Sequence, residues 1–374
     1  MFNEVSDGLR DAAPVLQSAL DQCGEISIPG GTYLLGATLK VHSDTSITAA
    51  PDAVFRLADG VGTHCRNFMI TNTNPGNGNA NISLCGGLWD GNNAGNPRGA
   101  DPEGGYFSAP LDTQDRDPFA YTGVAINFTN VRNLTVRDLT VHNPESFFVR
   151  VGEVSDFHIE NITLSADKLR PNQDGLHVGG FCERGVIRGI RASGAGVPND
   201  DMIALNADDD VERQLNLGMR RGPIRNILVE DVEAEDAYTF IRLLSVEHAI
   251  EDITIRGLRG GCRVHGINLN NWRFPKGVGA IRRIRFEDIE LAKTRVADSA
   301  PALVKISLGV DDVQLGQLHR GAATLPEVKT LVIDNNQDLE MALDGQIRAV
   351  SSVAGVILAE GDISCLRLNK PPNQ

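Results

Sequence analysis

One short pattern returns six times along the chain, and no other feature restricts its fold so strongly. It reads apolar-x-x-apolar-x-apolar and then a polar pair: "VRNLTVRDLTV" at 131, "VSDFHIENITL" at 154, "IRGIRASG" at 187, "IRNILVEDVEA" at 224, "IEDITIRGL" at 250 and "IRRIRFEDIEL" at 281. The starts lie 23, 33, 37, 26 and 31 residues apart. A second set of short period-2 strands interleaves with the first: "VAINFTN", "FFVRVGE", "GLHVGG", "DMIALNA", "TFIRLLS", "HGINLNN" and "ALVKISLG". Two or three short strands per irregular period, joined by turns rich in Asn, Gly and Asp, predict an all-β parallel β-helix. Each coil buries its inward side chains on those of the next, and loops can swell without disturbing the stack. A propeller would keep a more regular period, and a leucine-rich repeat would show Leu at fixed spacing where Ile and Val dominate here.

The whole chain, 1–374, reads as one solenoid. Residues 11–24, "DAAPVLQSALDQCG", carry helical apolar spacing, which predicts a capping helix over about 7–24 to cover the first coil. Coils are expected over about 25–310. The pattern loosens over 311–374, where last coils and a C-terminal cap are expected. The segment 92–122 has little periodicity and reads as a long loop, of the kind that often walls a groove. The six cysteines are scattered with no C-x-x-C pair, which argues against zinc ribbons and redox motifs and leaves disulfides open.

With a net charge of −14 and no basic stripe, a nucleic-acid partner is not expected. No apolar run approaches the length of a membrane span, so no membrane partner is expected either. The start, "MFNEVSDGLRD", lacks a basic-then-apolar leader. The expected address is cytoplasmic if Met1 is native, extracellular or periplasmic if a leader has been removed.

Two stretches carry the chemistry. "RPNQDGLHVGG" at 170–180 puts Asp174 before an apolar alternation, and "VPNDDMIALN" at 197–206 puts Asp200 and Asp201 before a similar one. Matching Leu176 and Val178 with Ile203 and Leu205 as inward residues pairs Asp174 with Asp201, and His177 with Ala204 on the outer face. Adjacent strands of one sheet lie about 4.8 Å apart, so the acids should converge. Three such carboxylates cannot all ionise cheaply, which leaves a protonated acid beside ionised partners. Glycosidic bond cleavage needs that combination: one carboxylic acid protonates the leaving oxygen while another activates water. The competing reading is that Asp and Asn only shape turns.

The helix followed by "IPGGTY", "GGLWDGN" at 86–92, "NQDG" at 172–175 and "NDD" at 199–201 resemble glycoside hydrolase family 28, the polygalacturonase-like right-handed β-helices, over roughly residues 7 to 300. The resemblance implies metal-free, cofactor-independent hydrolysis of a pectin-type carbohydrate with inversion. It makes Asp201 the acid, Asp174 and Asp200 the pair that activates water, and Asn172 the family's Asn. Later motifs depart. The family's His falls at Thr239, and its Arg and Lys, which grip a galacturonate carboxylate, fall at Asn268 and Asn270. A standard polygalacturonase is therefore not expected. The same strand alignment puts His265 two coils along in the column of Asp174 and Asp201. Arg242 falls in the outward column of His177 and Asn268. His177, Arg242, His265, Asn268 and Asn270 are the candidate substrate contacts, and His265 and Arg242 are candidate replacements for the lost residues.

Weaker signals are "ADDD" at 207–210, read as solvated loop acids without EF-hand spacing, and Trp89 and Trp272, suited equally to sugar stacking and to the core. The alternatives to a hydrolase are a polysaccharide lyase on the same fold and a non-catalytic carbohydrate-binding solenoid. Oligomeric state, sugar and linkage are open.

Overall fold

The computed structural model describes residues 2–98, 121–209, 216, 218–271, 274–275, 278–296, 300–335, 337–350 and 355–371. Its strands join one continuous sheet wound through successive coils, parallel from Gly24 to Arg320. The sixfold sequence pattern becomes the long strands Ile126–His142, Val149–Ser165, Glu183–Ser193, Ile224–Leu244, Ile250–Asn270 and Ile281–Lys293, each lying over the next.

The polar pair in each repeat has a backbone reason. Its second member, and the residue five positions earlier, take positive φ in coil after coil: Asn133 and Asp138, Asp156 and Asn161, Arg184 and Gly189, Asn226 and Asp231, Asp252 and Gly257, Arg283 and Asp288, Asp312 and Gln317. Each is a corner where the strand bends, and Asn, Asp and Gly meet the left-handed conformation at least cost. At the Arg corners the side chain turns back along the column, Arg184 Nε donating to Asp156 Oδ1 at 2.7 Å and Arg283 Nε to Asp252 Oδ1 at 2.6 Å.

Between corners the apolar positions point inward and stack in register, as in the column Leu176, Ile203, Ile241, Ile267, Val304. All five are buried in one core that runs from Val5 to Leu368. Deleting such a side chain to Ala would cost about 2–5 kcal/mol, because its stacked neighbours cannot close the gap. Trp89 belongs to this core, stacked 4.2 Å from Phe55, which in turn faces Tyr33.

The helix is shorter than the spacing predicted. It spans Ala13–Leu20, begins where Pro14 fixes the first turn, and buries Ala13, Leu16 and Leu20. Residues 7–11 instead form a strand pairing with Gly31–Leu35. At the other end, Ile363–Asn369 runs antiparallel beside Val310–Arg320 and breaks the parallel stack.

Candidate active site

The register expected from the two aspartate stretches is the one observed: Leu176 pairs with Ile203, His177 with Ala204 and Val178 with Leu205. Asp201 then pairs with Thr239, and Thr239 with His265. Asp174, Asp200 and Asp201 come together, each offering a carboxylate oxygen within 4.8 Å of the others. Asp174 and Asp201 are 4% and 2% exposed, and Asp200 is half-buried. Burial first, then the charge of Asp201, pushes both Asp174 and Asp200 well above the usual carboxylate range. Asp201 is also raised by burial, but the neighbouring Arg242 guanidinium opposes the shift.

Basic side chains reach two of the three acids. His177 Nδ1 lies 2.7 Å from Asp174 Oδ2, and Arg242 Nη1 donates to Asp201 Oδ2 at 3.2 Å. Among the described residues Asp200 receives only the Asn172 amide, at 3.4 Å. Burial works against the Arg242 charge, yet Asp201, Asp209, Asp200 and Asp174 outweigh it and hold the guanidinium firmly protonated. Its Nε donates to Asn270 Oδ1 at 3.3 Å, so Arg242 bridges the acid cluster to the next coil.

The remaining candidates sit as follows. Asn172, in the left-handed conformation, accepts from Arg98 Nη1 at 2.9 Å while its amide faces Asp200. His177 is 2% exposed under Phe147, the two rings stacked at 4.4 Å and 10°. His265 is buried, its Nδ1 2.9 Å from the Ala302 carbonyl, and burial lowers it to about 4, so it is a neutral ring turned to the following coil. Asn268 lies between Arg242 and Lys305 in the outward column, its Oδ1 buried with no hydrogen-bond partner among the described residues.

Several groups at the site escape any local sequence pattern. Glu145, fully buried, pairs with Arg98 at 3.0 Å and Arg170 at 2.9 Å, and Arg98 also donates to the Pro171 carbonyl at 2.6 Å. This buried triad fixes the turn that carries Asn172 and Asp174. Arg263 does the same for the next turn, donating to Asn199 Oδ1 at 2.8 Å and to the Asp236 carbonyl at 2.6 Å. Tyr121 packs on Phe147 over the acids. Its phenol is raised well above its usual value by burial, then by Asp209, Asp174 and Asp200.

The "ADDD" run is not the set of solvated loop acids expected. Asp208 is buried, its Oδ2 accepting the backbone N–H groups of Val246, Glu247 and His248 at 2.7–2.8 Å. Its Oδ1 faces His248 Nδ1, so both carboxylate oxygens of Asp208 are already engaged by the 246–248 turn. Asp209 instead faces His177 Nε2 at 3.4 Å, and Asp210 lies outside the described residues, as does Trp272. The Asp174, Asp200 and Asp201 oxygens are close enough to share a cation, and the Arg242 guanidinium already supplies positive charge beside Asp201.

Known proteins agree with this arrangement at the level of family and fold. Polygalacturonases from Gossypium barbadense and Medicago sativa are each 22% identical to the chain. The first match spans 81% of this chain and 68% of that protein, the second 45% and 36%. Among solved structures, endo-xylogalacturonan hydrolase from Aspergillus tubingensis superposes with a TM-score of 0.53 at 14% identity, over 88% of this chain and 96% of that one. The PfbA surface adhesin of Streptococcus pneumoniae superposes with a TM-score of 0.51 at 17% identity, over 88% and 82%. At these identities the likeness speaks to the β-helix alone. The profile of glycosyl hydrolases family 28 matches residues 25–222, a span that contains all three aspartates, and the chain belongs to that family.

Proposed function

We propose that this protein is a glycosidase that cleaves a polysaccharide or oligosaccharide by acid/base catalysis on the Asp174, Asp200 and Asp201 cluster. One observation carries the reading: of three convergent carboxylates, two have a basic side chain within hydrogen-bonding distance and, among the described residues, one does not. Mutual repulsion demands a proton, and the cations decide where it rests. It rests on Asp200, which donates it to the leaving glycosidic oxygen. Asp174 and Asp201, each facing a basic side chain that favours its charge against burial, orient and deprotonate a water. This moves the acid from Asp201, where the resemblance put it, to its neighbour.

We read the outcome as inversion, with two acids on the water and a third on the leaving group. The shared oxygens lie closer than the separation of about 6.5–9.5 Å between carboxyl groups usual for inverting enzymes, so the family supports inversion more than the spacing does. Asn268 and Asn270 stand where a galacturonate carboxylate would meet Arg and Lys, and Arg242 is engaged by Asp201 and Asn270. Plain polygalacturonate is therefore not the proposed substrate. The shape belongs to the same reading: a right-handed solenoid, residues 1–374 as one unit, with helix Ala13–Leu20 lying over its first coil.

The test is reducing-end release from a panel of defined pectic and microbial glycans. The wild type should release ends from at least one, with the first product anomer inverted by NMR. Asp200→Asn should lose at least about 10²–10³-fold in kcat while binding the same glycan as before. An ultraviolet-absorbing unsaturated product would make the enzyme a lyase. Binding with no turnover in either protein would make it a carbohydrate-binding solenoid.

A further inference from the structure

His177 has a carboxylate at each ring nitrogen. Asp174 Oδ2 lies 2.7 Å from Nδ1, and Asp209 Oδ2 lies 3.4 Å from Nε2. An ionised carboxylate only accepts hydrogen bonds, so a ring hydrogen-bonded to Asp174 at one nitrogen and at ion-pair distance from Asp209 at the other is favoured as an imidazolium. Its plane is fixed by Phe147, stacked 4.4 Å away. Along its column the ring meets Arg150 on one side and the Ala204 methyl on the other. Among the described residues the charged groups facing it are Asp174, Asp209 and Arg150, with Asp201 close enough to feel its charge.

Asp209 is itself held in place. Asn216 Nδ2 donates to its Oδ2 at 2.7 Å and Asn206 Nδ2 approaches its Oδ1 at 3.4 Å. Beside it lies a cavity of about 20 Å³ lined by His177, Asn206, Asp209 and Asn216 among others, where the Asn206 Oδ1 is buried with no hydrogen-bond partner among the described residues. That volume accommodates one water, which would solvate Asp209 and complete Asn206.

We infer that Asp209 is a positioning residue of the active site: by holding the second nitrogen of His177 it keeps the ring doubly protonated, and the ring in turn keeps Asp174 ionised and able to take a proton from water. No proton passes along this Asp209–His177–Asp174 line during turnover. Its work is to set a charge, and it does so from a carboxylate that touches neither substrate nor water nucleophile. The inference rests on the hydrolase reading for its catalytic consequence, but not for its structural content.

The experiment therefore has two arms. In substrate-free protein with ¹⁵N-labelled histidine, His177 should show two ring N–H protons at pH 6.5, and Asp209→Asn should reduce them to one. With a turned-over glycan, Asp209→Asn should lower kcat about tenfold or more, leave KM within about twofold, and move the acid limb of kcat/KM to higher pH, with partial recovery in Asp209→Glu. The direction of that move discriminates. Asp209 is also a like charge near Asp174, and if it acted only so, its removal would shift the limb to lower pH. A single ring proton in the wild type, two in Asp209→Asn, or a limb that stays or falls would overturn the inference. His177→Asn, checked for folding by its melting curve, should reproduce the limb shift. A wild type that hydrolyses nothing would sink the hydrolase reading and leave the proton count standing as its own test.

Discussion

Two parts of the same solenoid treat stacked charge in opposite ways. On the outer face, Arg137, Glu160, Arg188, Glu230, Arg256 and Glu287 follow one another in register, one per coil. A second column reads Glu183, Arg225, Glu251, Arg282, Asp311, and a third Arg191, Glu233, Arg259, Glu290. The sign alternates at every step. A parallel β-helix places equivalent side chains about 4.8 Å apart, so a column of one sign would repel along its whole length and a one-coil slip would set like against like. Alternation makes the correct stacking the attractive one. Glu230 shows the result. Partial burial disfavours its charge, but Arg256 and Arg188 outweigh that and hold its carboxyl below the usual range. At the mouths of the strands that begin at Leu176 and Asp201 the rule is broken. There Asp174, Asp200 and Asp201 converge without alternation, two of them buried and the third half-buried. A chain that alternates charge elsewhere tolerates this only where a proton held under strain is useful, which is the stability cost expected of an active site.

The largest break in this comparison comes from Arg242. It is nearly buried and paired with Asp201. Arg242→Gln should cost about 3–5 kcal/mol at pH 7, because it leaves an uncompensated charge in the interior. The loss should shrink as the pH is lowered and the aspartates take up protons, and urea unfolding at pH 7 and pH 4.5 would measure both.

Asp200→Asn should act the other way, raising stability at pH 7 by about 0.5–2 kcal/mol while abolishing turnover. The sign follows from linkage. The folded protein holds the Asp200 proton more tightly than the unfolded chain, so this carboxyl costs stability as pH climbs from the ordinary aspartate value of 3.8 through its raised folded value, and costs most above it. Glu230 behaves oppositely. Its folded value lies below 4.5, so its contribution is present above that pH and is lost as pH falls through the folded value. Wild-type melting temperature should therefore peak at mildly acidic pH. Asp200→Asn should flatten the decline on the alkaline side and leave the acid side unchanged. An unaltered alkaline decline would mean that the cluster carries no stored repulsion.

How much of this was visible beforehand divides along the same line. The coils and the acid cluster were legible because both rest on period-2 alternation: once Leu176 and Val178 are matched to Ile203 and Leu205, the aspartates must meet. The corner positions were half visible. Their spacing of five is regular, but Asn, Asp, Gly, Arg and Gln all occupy them, so residue type hides what φ makes plain. The groups that hold the site were not legible. Glu145 finds Arg98 across 47 residues and Arg170 across 25, with no periodic pattern to announce either. Asp209 was read with its neighbours as part of one acidic run, though Asp208 anchors a turn and Asp209 faces a histidine. The helix was drawn too long because residues 7–11 are too short and mixed to declare a strand.

The mildest test returns to the ladder. Glu230 is flanked by Arg188 and Arg256 in register, with ion-pair contacts to both. Glu230→Gln removes attraction and should cost less than about 1 kcal/mol, as exposed pairs do. Glu230→Arg places three guanidinium groups in a row and should cost about 1–2 kcal/mol. The two variants touch the same packing, so their difference isolates charge order from contact. That difference should fall away in 0.5 M NaCl, where screening acts within a few ångströms. The stability change in Asp200→Asn, seated among buried groups, should survive the same salt. If the ladder variants were equally stable at low salt, alternation would be an ornament of composition rather than a guide to register, and the contrast with the aspartate cluster would lose its force.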